Sequence, residues 1–345
     1  MSSSTSTADT PRRALLRELW NPRIVGLLLA IVVAVVTFAV INHNFLNASN
    51  ILTLAQSMSS IVIVAMGITF VILTGEIDLS AGSVFGFVPM LTALLWVGGM
   101  PLALALPIGL LSGVAIGFLN GLIVTRFDIP SFIVTLGSMN VVYGLTLLIS
   151  SARSVDPKYA ATPVPMDQYD FFRSLAASQV LPNFSSHIWW FLGVTIILWI
   201  VRHRTLFGFR LVAIGGSIES ARTARLKVRT YVVIVFTLSA GLAGLAGMLA
   251  FSFLGSTDPS AGQNLLFPAF AAVIVGGASL NGGVGTIGGT FIGAVLLSVL
   301  SNGLSLIGVG SFAQLIFVGG VTIAAVVLDR WTTSRHRPYR FGGFR

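Results

Sequence analysis

The 345-residue sequence contains no cysteine, which excludes disulfides and thiolate metal sites. Charge is also scarce. Asp, Glu, Lys and Arg make up 9% of the chain, against about 25% in an ordinary soluble protein. There are two lysines, Lys158 and Lys227, and neither lies in G-x-x-x-x-G-K-[ST], so the chain lacks a P-loop. The histidines at 43, 187, 203 and 336 are too scattered to suggest a metal site. Glu76 and Asp78 are the one close acid pair at an expected membrane turn, and no His or Cys accompanies them. Neither a catalytic group nor a metal centre is therefore expected.

Apolar residues are abundant. They form 55% of the chain, and mean hydropathy is +0.92. Runs at 24–41, 51–74, 79–98, 102–124, 131–151, 187–201, 231–253, 265–280, 286–305 and 312–328 mostly approach the ~20 residues that cross a bilayer. The first run is longer than a signal-peptide core and is followed by no small-residue cleavage site, so it reads as a span. The runs at 187–201 and 265–280 are short, and the second reads as a broken helix. This gives an all-α, polytopic integral membrane protein of about ten helices. A single transmembrane domain over 20–329 would lie between cytoplasmic tails at 1–19 and 330–345.

The basic residues set the direction. With both termini inside, 17 of the 20 Lys and Arg lie on the cytoplasmic side, leaving Arg153, Lys158 and Arg173 outside. Charge at the ends of apolar runs indicates membrane orientation, not nucleic acid, despite a pI near 11.0. Trp20, Trp96, Trp189, Trp190, Trp199 and Trp331 all fall at expected membrane borders, as in an aromatic belt. The long external loop, 152–186, suits a lid or a landing surface.

None of the ten runs contains Asp, Glu, Lys or Arg. Ion-coupled transport normally keeps an ionisable group at membrane depth, so active transport by this chain would draw on another subunit's energy. Gly109, Gly113, Gly117 and Gly121 recur every four residues, and Gly241, Gly244 and Gly247 form a similar strip, both fitted to close helix packing. Gly283 to Gly288 match G-x-G-x-x-G, but the context is membrane helix and no acid follows at the required distance, which rejects a dinucleotide site. Internal symmetry is weak: Asn120-Gly121-Leu122 and Asn302-Gly303-Leu304 are 182 residues apart, whereas the turns at Gly75 and Gly277 are 202 apart.

Two polar segments remain. The basic segment 202–229 carries seven of the twenty Lys and Arg. Ser217 can cap a short helix there, with Glu219 in its first turn and Arg222, Arg225 and Lys227 towards its end, an order that suits the helix dipole. It is either a docking piece for a soluble partner or a plain topogenic loop. The turn ILTGEIDLSAGSV places Glu76 and Asp78 between two apolar runs, with Asp78 or Ser80 able to cap the next helix. It is either a solvated cytoplasmic turn or irregular backbone beside a transport path.

These residues resemble the permease subunits of bacterial ATP-binding-cassette importers, in the branch serving ribose, xylose and related sugars. AMGITFVILTGEIDLSAGSV (65–84), NGLIVTRFDIPSFIVTLGSM (120–139), AFAAVIVGGASLNGGVGTIGGTFIGA (269–294) and SNGLSLIGV (301–309) follow the family's blocks in order. Three departures stand out. Glu76 replaces a glycine, Arg225 stands where the family has a glycine after the short helix of the 202–229 segment, and Leu266 and Pro268 replace an acidic pair.

The resemblance implies a type II importer-like permease paired with a second permease subunit, identical or not. Its partners would be ATP-binding-cassette ATPase subunits, which bind ATP and Mg, an extracytoplasmic sugar-binding protein and membrane lipid. It would need no cofactor of its own and bind no nucleic acid. Gly215, Gly216, Ser217, Glu219, Ala221, Arg222 and Arg225 would couple to the ATPase. Gly75, Glu76, Asp78, Ser80, Gly82 and Ser83 would form a turn or gate. Gln56, Asn120, Thr135, Asn140, Asn302 and Gln314 are candidates for lining a sugar path, or else for helix–helix hydrogen bonds. A non-sugar solute such as a nucleoside or a signalling furanone, or a passive channel, are the alternatives.

Overall fold

The computed structural model describes residues 22–334, apart from 163, 182 and 183. Its first five helices are α1 (Pro22–Ile41), α2 (Ala48–Leu73), α3 (Ala81–Val97), α4 (Leu102–Phe127) and α5 (Ser131–Ser150). The next four are α6 (Met166–Ala177), α7 (Ser186–Arg204), α8 (Leu206–Gly216) and α9 (Ile218–Thr223). The last four are α10 (Val228–Leu254), α11 (Leu266–Val275), α12 (Ile287–Leu306) and α13 (Ser311–Ser334). A minimal antiparallel pair, β1 (Gln179–Leu181) with β2 (Phe184–Ser185), is the strand structure among the described residues.

Six helices, α1, α2, α4, α5, α10 and α12, are long and apolar enough to cross a membrane. A seventh crossing forms if α7 and α8, bent by 67° at Thr205, count as one. The expected runs at 79–98, 265–280 and 312–328 become shorter apolar helices: α3, α11 and the Phe312–Ala324 part of α13. The segment 202–229, expected as a loop, is mostly helical. The segment 152–186, expected outside the membrane, folds α6 over Trp96, whose ring meets Phe172 edge-on. Trp96 is thus buried inside the bundle instead of joining an aromatic belt, whereas Trp189 and Trp190 are exposed. Trp20 and most of the two expected tails lie outside the described residues.

The centre is built from α2 and α10. Every side chain from Val62 to Leu73 is buried, as a helix apolar all round requires. The glycine strip of α4 does what its spacing predicts. A Cβ at Gly117 would lie 2.4 Å from the Phe236 carbonyl oxygen, and one at Gly121 2.7 Å from the Val233 Cα, so α4 lies backbone-close on α10. Gly247 of α10 meets α3 the same way: a Cβ there would strike the Phe85 carbonyl oxygen. In lipid this close approach supplies the dispersion contacts that hold helices together.

Glycines also end four helices in the same way. Gly75 (φ 82°) and Gly277 (φ 93°) both take the left-handed conformation. At the first, Gly75 N–H donates to Ile72 and Glu76 N–H to Val71; at the second, Gly277 N–H donates to Ile274 and Ala278 N–H to Val273. Gly99 and Gly308 repeat the pattern, donating to Trp96 and Ser305 while the next N–H donates to Leu95 and Leu304, so all four are Schellman stops and the motif singles out no repeat register. Outside the helices, Val155 and Thr257 form a bridge. Beside it Asp258 accepts from Ser260 and Ser154, which hold its carboxyl below the usual range.

Candidate functional site

Three glycine-bearing segments meet where α2 ends. Gly283 N–H donates to the Leu73 carbonyl at 3.0 Å. A Cβ at Gly215, in the last turn of α8, would lie 1.9 Å from that same carbonyl oxygen and 2.4 Å from the Gly283 nitrogen. A Cβ at Gly282 would lie 2.8 Å from the Gly75 nitrogen and 3.0 Å from the Gly215 Cα. Arg202 at the end of α7 donates to the Gly285 carbonyl at 3.1 Å, tying this helix to the same loop. Two motifs nominated separately in the sequence, Gly215-Gly216 and Gly75-Glu76, thus share one backbone junction, and the loop 276–286 completes it.

On one side of the junction lies α9. Ser217 caps it as expected, accepting from the Ser220 N–H at 3.2 Å. Glu219 sits in its first turn and Arg222 in its last. The helix is one and a half turns, shorter than the stretch from Gly216 to Lys227 suggested. Ala221, expected as a docking contact, faces inward and is 4% exposed. Ile218, which the sequence reading passed over, is exposed instead. Arg225 follows with φ 59°, a left-handed residue where a glycine would be unstrained. Beside α9 a cleft of about 510 Å³ is lined by Arg222, Lys227 and Arg229, with Asp128 as its carboxylate.

On the other side, residues 76–79 run as an irregular strap between α2 and α3, and the two acids part company. Glu76 is partly exposed, while Asp78 is fully buried, so the solvated-turn reading fails for Asp78. Asp78 Oδ1 accepts from the Ser80 N–H at 2.9 Å and from its hydroxyl at 2.6 Å. Ser80, though at the N-cap position, makes no side-chain cap bond; it is Asp78 that accepts from the backbone N–H groups of Ser80 and Ala81 where α3 begins. Asp78 Oδ2 has no hydrogen-bond partner among the described residues; the Ser239 hydroxyl of α10 faces it.

The strap is held from the sides. Asn120 of α4 donates to the Ser80 hydroxyl at 2.9 Å. In α5, Ser131 accepts from the Ile77 N–H at 3.0 Å and Thr135 donates to the Ile77 carbonyl at 3.2 Å. Ser83 donates to the Met139 carbonyl at 2.8 Å. Gly82 packs on the segment before α11, where a Cβ would lie 2.9 Å from the Gly262 carbonyl oxygen.

Over residues 50–326 the chain matches the family described as "Branched-chain amino acid transport system / permease component". The chain belongs to this permease family. Among its relatives, the ribose import permease of Bacillus subtilis is 36% identical over 305 residues, covering 88% of this chain and 92% of that protein. The D-allose transport system permease of Escherichia coli is 35% identical over 316 residues, 90% and 92% of the two chains. The ribose import permease of Haemophilus influenzae is 33% identical over 303 residues, 88% and 92%. No solved structure matches the chain at a significant level.

The six polar residues nominated as a path do not come together in this permease. Asn120 and Thr135 hold the strap. Asn302 pairs with Asn50 by two reciprocal bonds of 3.0 and 3.1 Å between α12 and α2. Gln56 reaches Ser185 at 3.5 Å, Asn140 donates to Leu136 one turn back, and Gln314 donates to the Val309 carbonyl. All six are engaged in helix or turn contacts. Sequence reading missed Ser131, Ser239 and the buried Thr69–Thr290 hydroxyl pair at 2.8 Å, because single hydroxyls inside apolar helices carry no local pattern.

Proposed function

We propose that this permease is the membrane-spanning subunit of an importer for a neutral monosaccharide in the cytoplasmic membrane, driven by ATP hydrolysed on partner ATPase subunits. It has no catalytic site of its own. What carries the reading is the similarity to named ribose and allose permeases over about nine-tenths of the chain. The charge pattern supports a neutral solute over an amino acid. A zwitterion would need countercharges along its path, and the ten apolar runs contain no Asp, Glu, Lys or Arg. In this reading α9 lies on the cytoplasmic side, where most of the Lys and Arg fall.

In this reading α9 docks on the ATPase through Ile218, Glu219 and Arg222, and the basic cleft beside it receives an acidic element of that subunit. Movement of α9 passes through the Gly215–Leu73–Gly283 junction to the strap and thence to α3. A second permease subunit completes the pathway, and an extracytoplasmic binding protein delivers the sugar. Reconstitution with the cognate ATPase and binding protein in proteoliposomes tests it. ATP-dependent uptake of radiolabelled ribose or allose is expected. Uptake that proceeds without ATP would point to a channel, and uptake of a nucleoside in place of both sugars would reassign the solute.

A further inference from the structure

Beneath α6 lies an apolar groove of about 750 Å³. Leu106 of α4 and Leu245 and Leu249 of α10 line it, joined by Phe171 and Leu175 of α6. These lining positions lie within about 14 Å of the helix ends at Leu102 and Leu254, by the rise of an α-helix, which is the depth of one hydrocarbon leaflet, about 15 Å. Helix α6 is amphipathic in an unusual way. Phe172 and Ala176 pack into the bundle, while Phe171, next in sequence, remains 61% exposed over the groove. Two contacts hold this cover in place: Gln168 accepts from the Leu102 N–H at 3.0 Å, and Trp190 donates to the Leu175 carbonyl at 2.8 Å. The one charged lining residue is Asp167, in the first turn of α6.

We propose that this groove is a lipid site. It holds an acyl chain of a phospholipid from the leaflet on the α6 side, whose ammonium headgroup pairs with Asp167. Leaflet depth and apolar lining fit the chain, and a lone carboxylate with no lining cation favours an ammonium over an anionic headgroup. An interfacial helix laid across the chain and headgroup boundary completes the site.

Native mass spectrometry of the purified full chain tests this in micelles doped with equal phosphatidylethanolamine and phosphatidylglycerol. One phosphatidylethanolamine per chain is expected to survive activation that strips other lipid. Filling the groove with Leu106→Trp and Leu249→Trp should cut that retention about tenfold. Asp167 is exposed and does not threaten the fold, and Asp167→Asn should keep a bound lipid while weakening the phosphatidylethanolamine preference about fivefold. The proposal is overturned by equal retention of the two lipids in the wild type, by retention unchanged in the filled variant, or by no retained lipid. Spontaneous disulfides between copies of Phe171→Cys would also overturn it, by placing the groove in a protein interface. Retention is read without transport, so these outcomes stand apart from the importer reading.

Discussion

At the residue scale, Arg225 and Asp78 show how one position can carry a cost or a constraint. Arg225 holds a left-handed φ of 59° just past α9, a conformation that costs a non-glycine residue about 1 kcal/mol. Its side chain is exposed, so Arg225→Gly should remove strain without losing packing. We expect a rise in detergent melting temperature equivalent to about 0.5–1 kcal/mol, measured by intrinsic fluorescence; a fall would mean that the guanidinium holds a contact worth more than the strain. Asp78 is the opposite case. Its Oδ1 is the acceptor for two donors of Ser80, and leaving a buried donor unsatisfied costs about 1–3 kcal/mol. Asp78→Ala should therefore destabilise by about 2 kcal/mol. Asp78→Asn keeps an oxygen acceptor and offers Ser239 a donor, so it should lose less than half as much. Equal losses for both would show that the charge itself is needed.

At the element scale, the glycine junction is the test of how α8 and α9 speak to α2. Gly215 and Gly216 are adjacent and chemically identical, yet a Cβ at Gly215 would strike the Leu73 carbonyl, whereas one at Gly216 meets nothing within 4 Å. Gly215→Ala should therefore push α8 off the end of α2 and lower sugar-stimulated ATPase activity by about tenfold, with Gly216→Ala close to wild type. Similar activity for the two would remove the junction from the coupling route. This asymmetry marks the limit of what the sequence makes legible. The period-four glycines of α4 announce their packing because helix geometry is local. The Ser217 cap is readable for the same reason. The meeting of Gly75, Gly215 and Gly283 is not, since it joins segments 140 and 68 residues apart with no shared pattern. Likewise Asn120 and Thr135 look like path-lining polar groups until the strap they hold is seen.

At the scale of the whole molecule, direction and crossing number decide which surface faces the ATPase. Basic residues mark the cytoplasmic side in the sequence, but they do not say whether α7 and α8, bent by 67°, make one crossing or re-enter the side they left. Thr205, capping α8 through the Gly208 N–H, fixes the bend locally and leaves that question to the global packing. The junction supports a single crossing: it ties the end of α8 to the end of α2, while α7 starts beneath α6 at the other end of the bundle. A chain without cysteine allows a direct check. Tyr159→Cys lies in the exposed segment before α6, and Ser220→Cys lies on exposed α9. In intact cells a membrane-impermeant maleimide should label position 159 at once and position 220 only after permeabilisation. Labelling of both from outside would make α7–α8 re-entrant, and labelling of 220 alone would invert the protein. Either result would take α9 out of reach of a cytoplasmic ATPase, because a helix on the outer surface cannot couple to hydrolysis within.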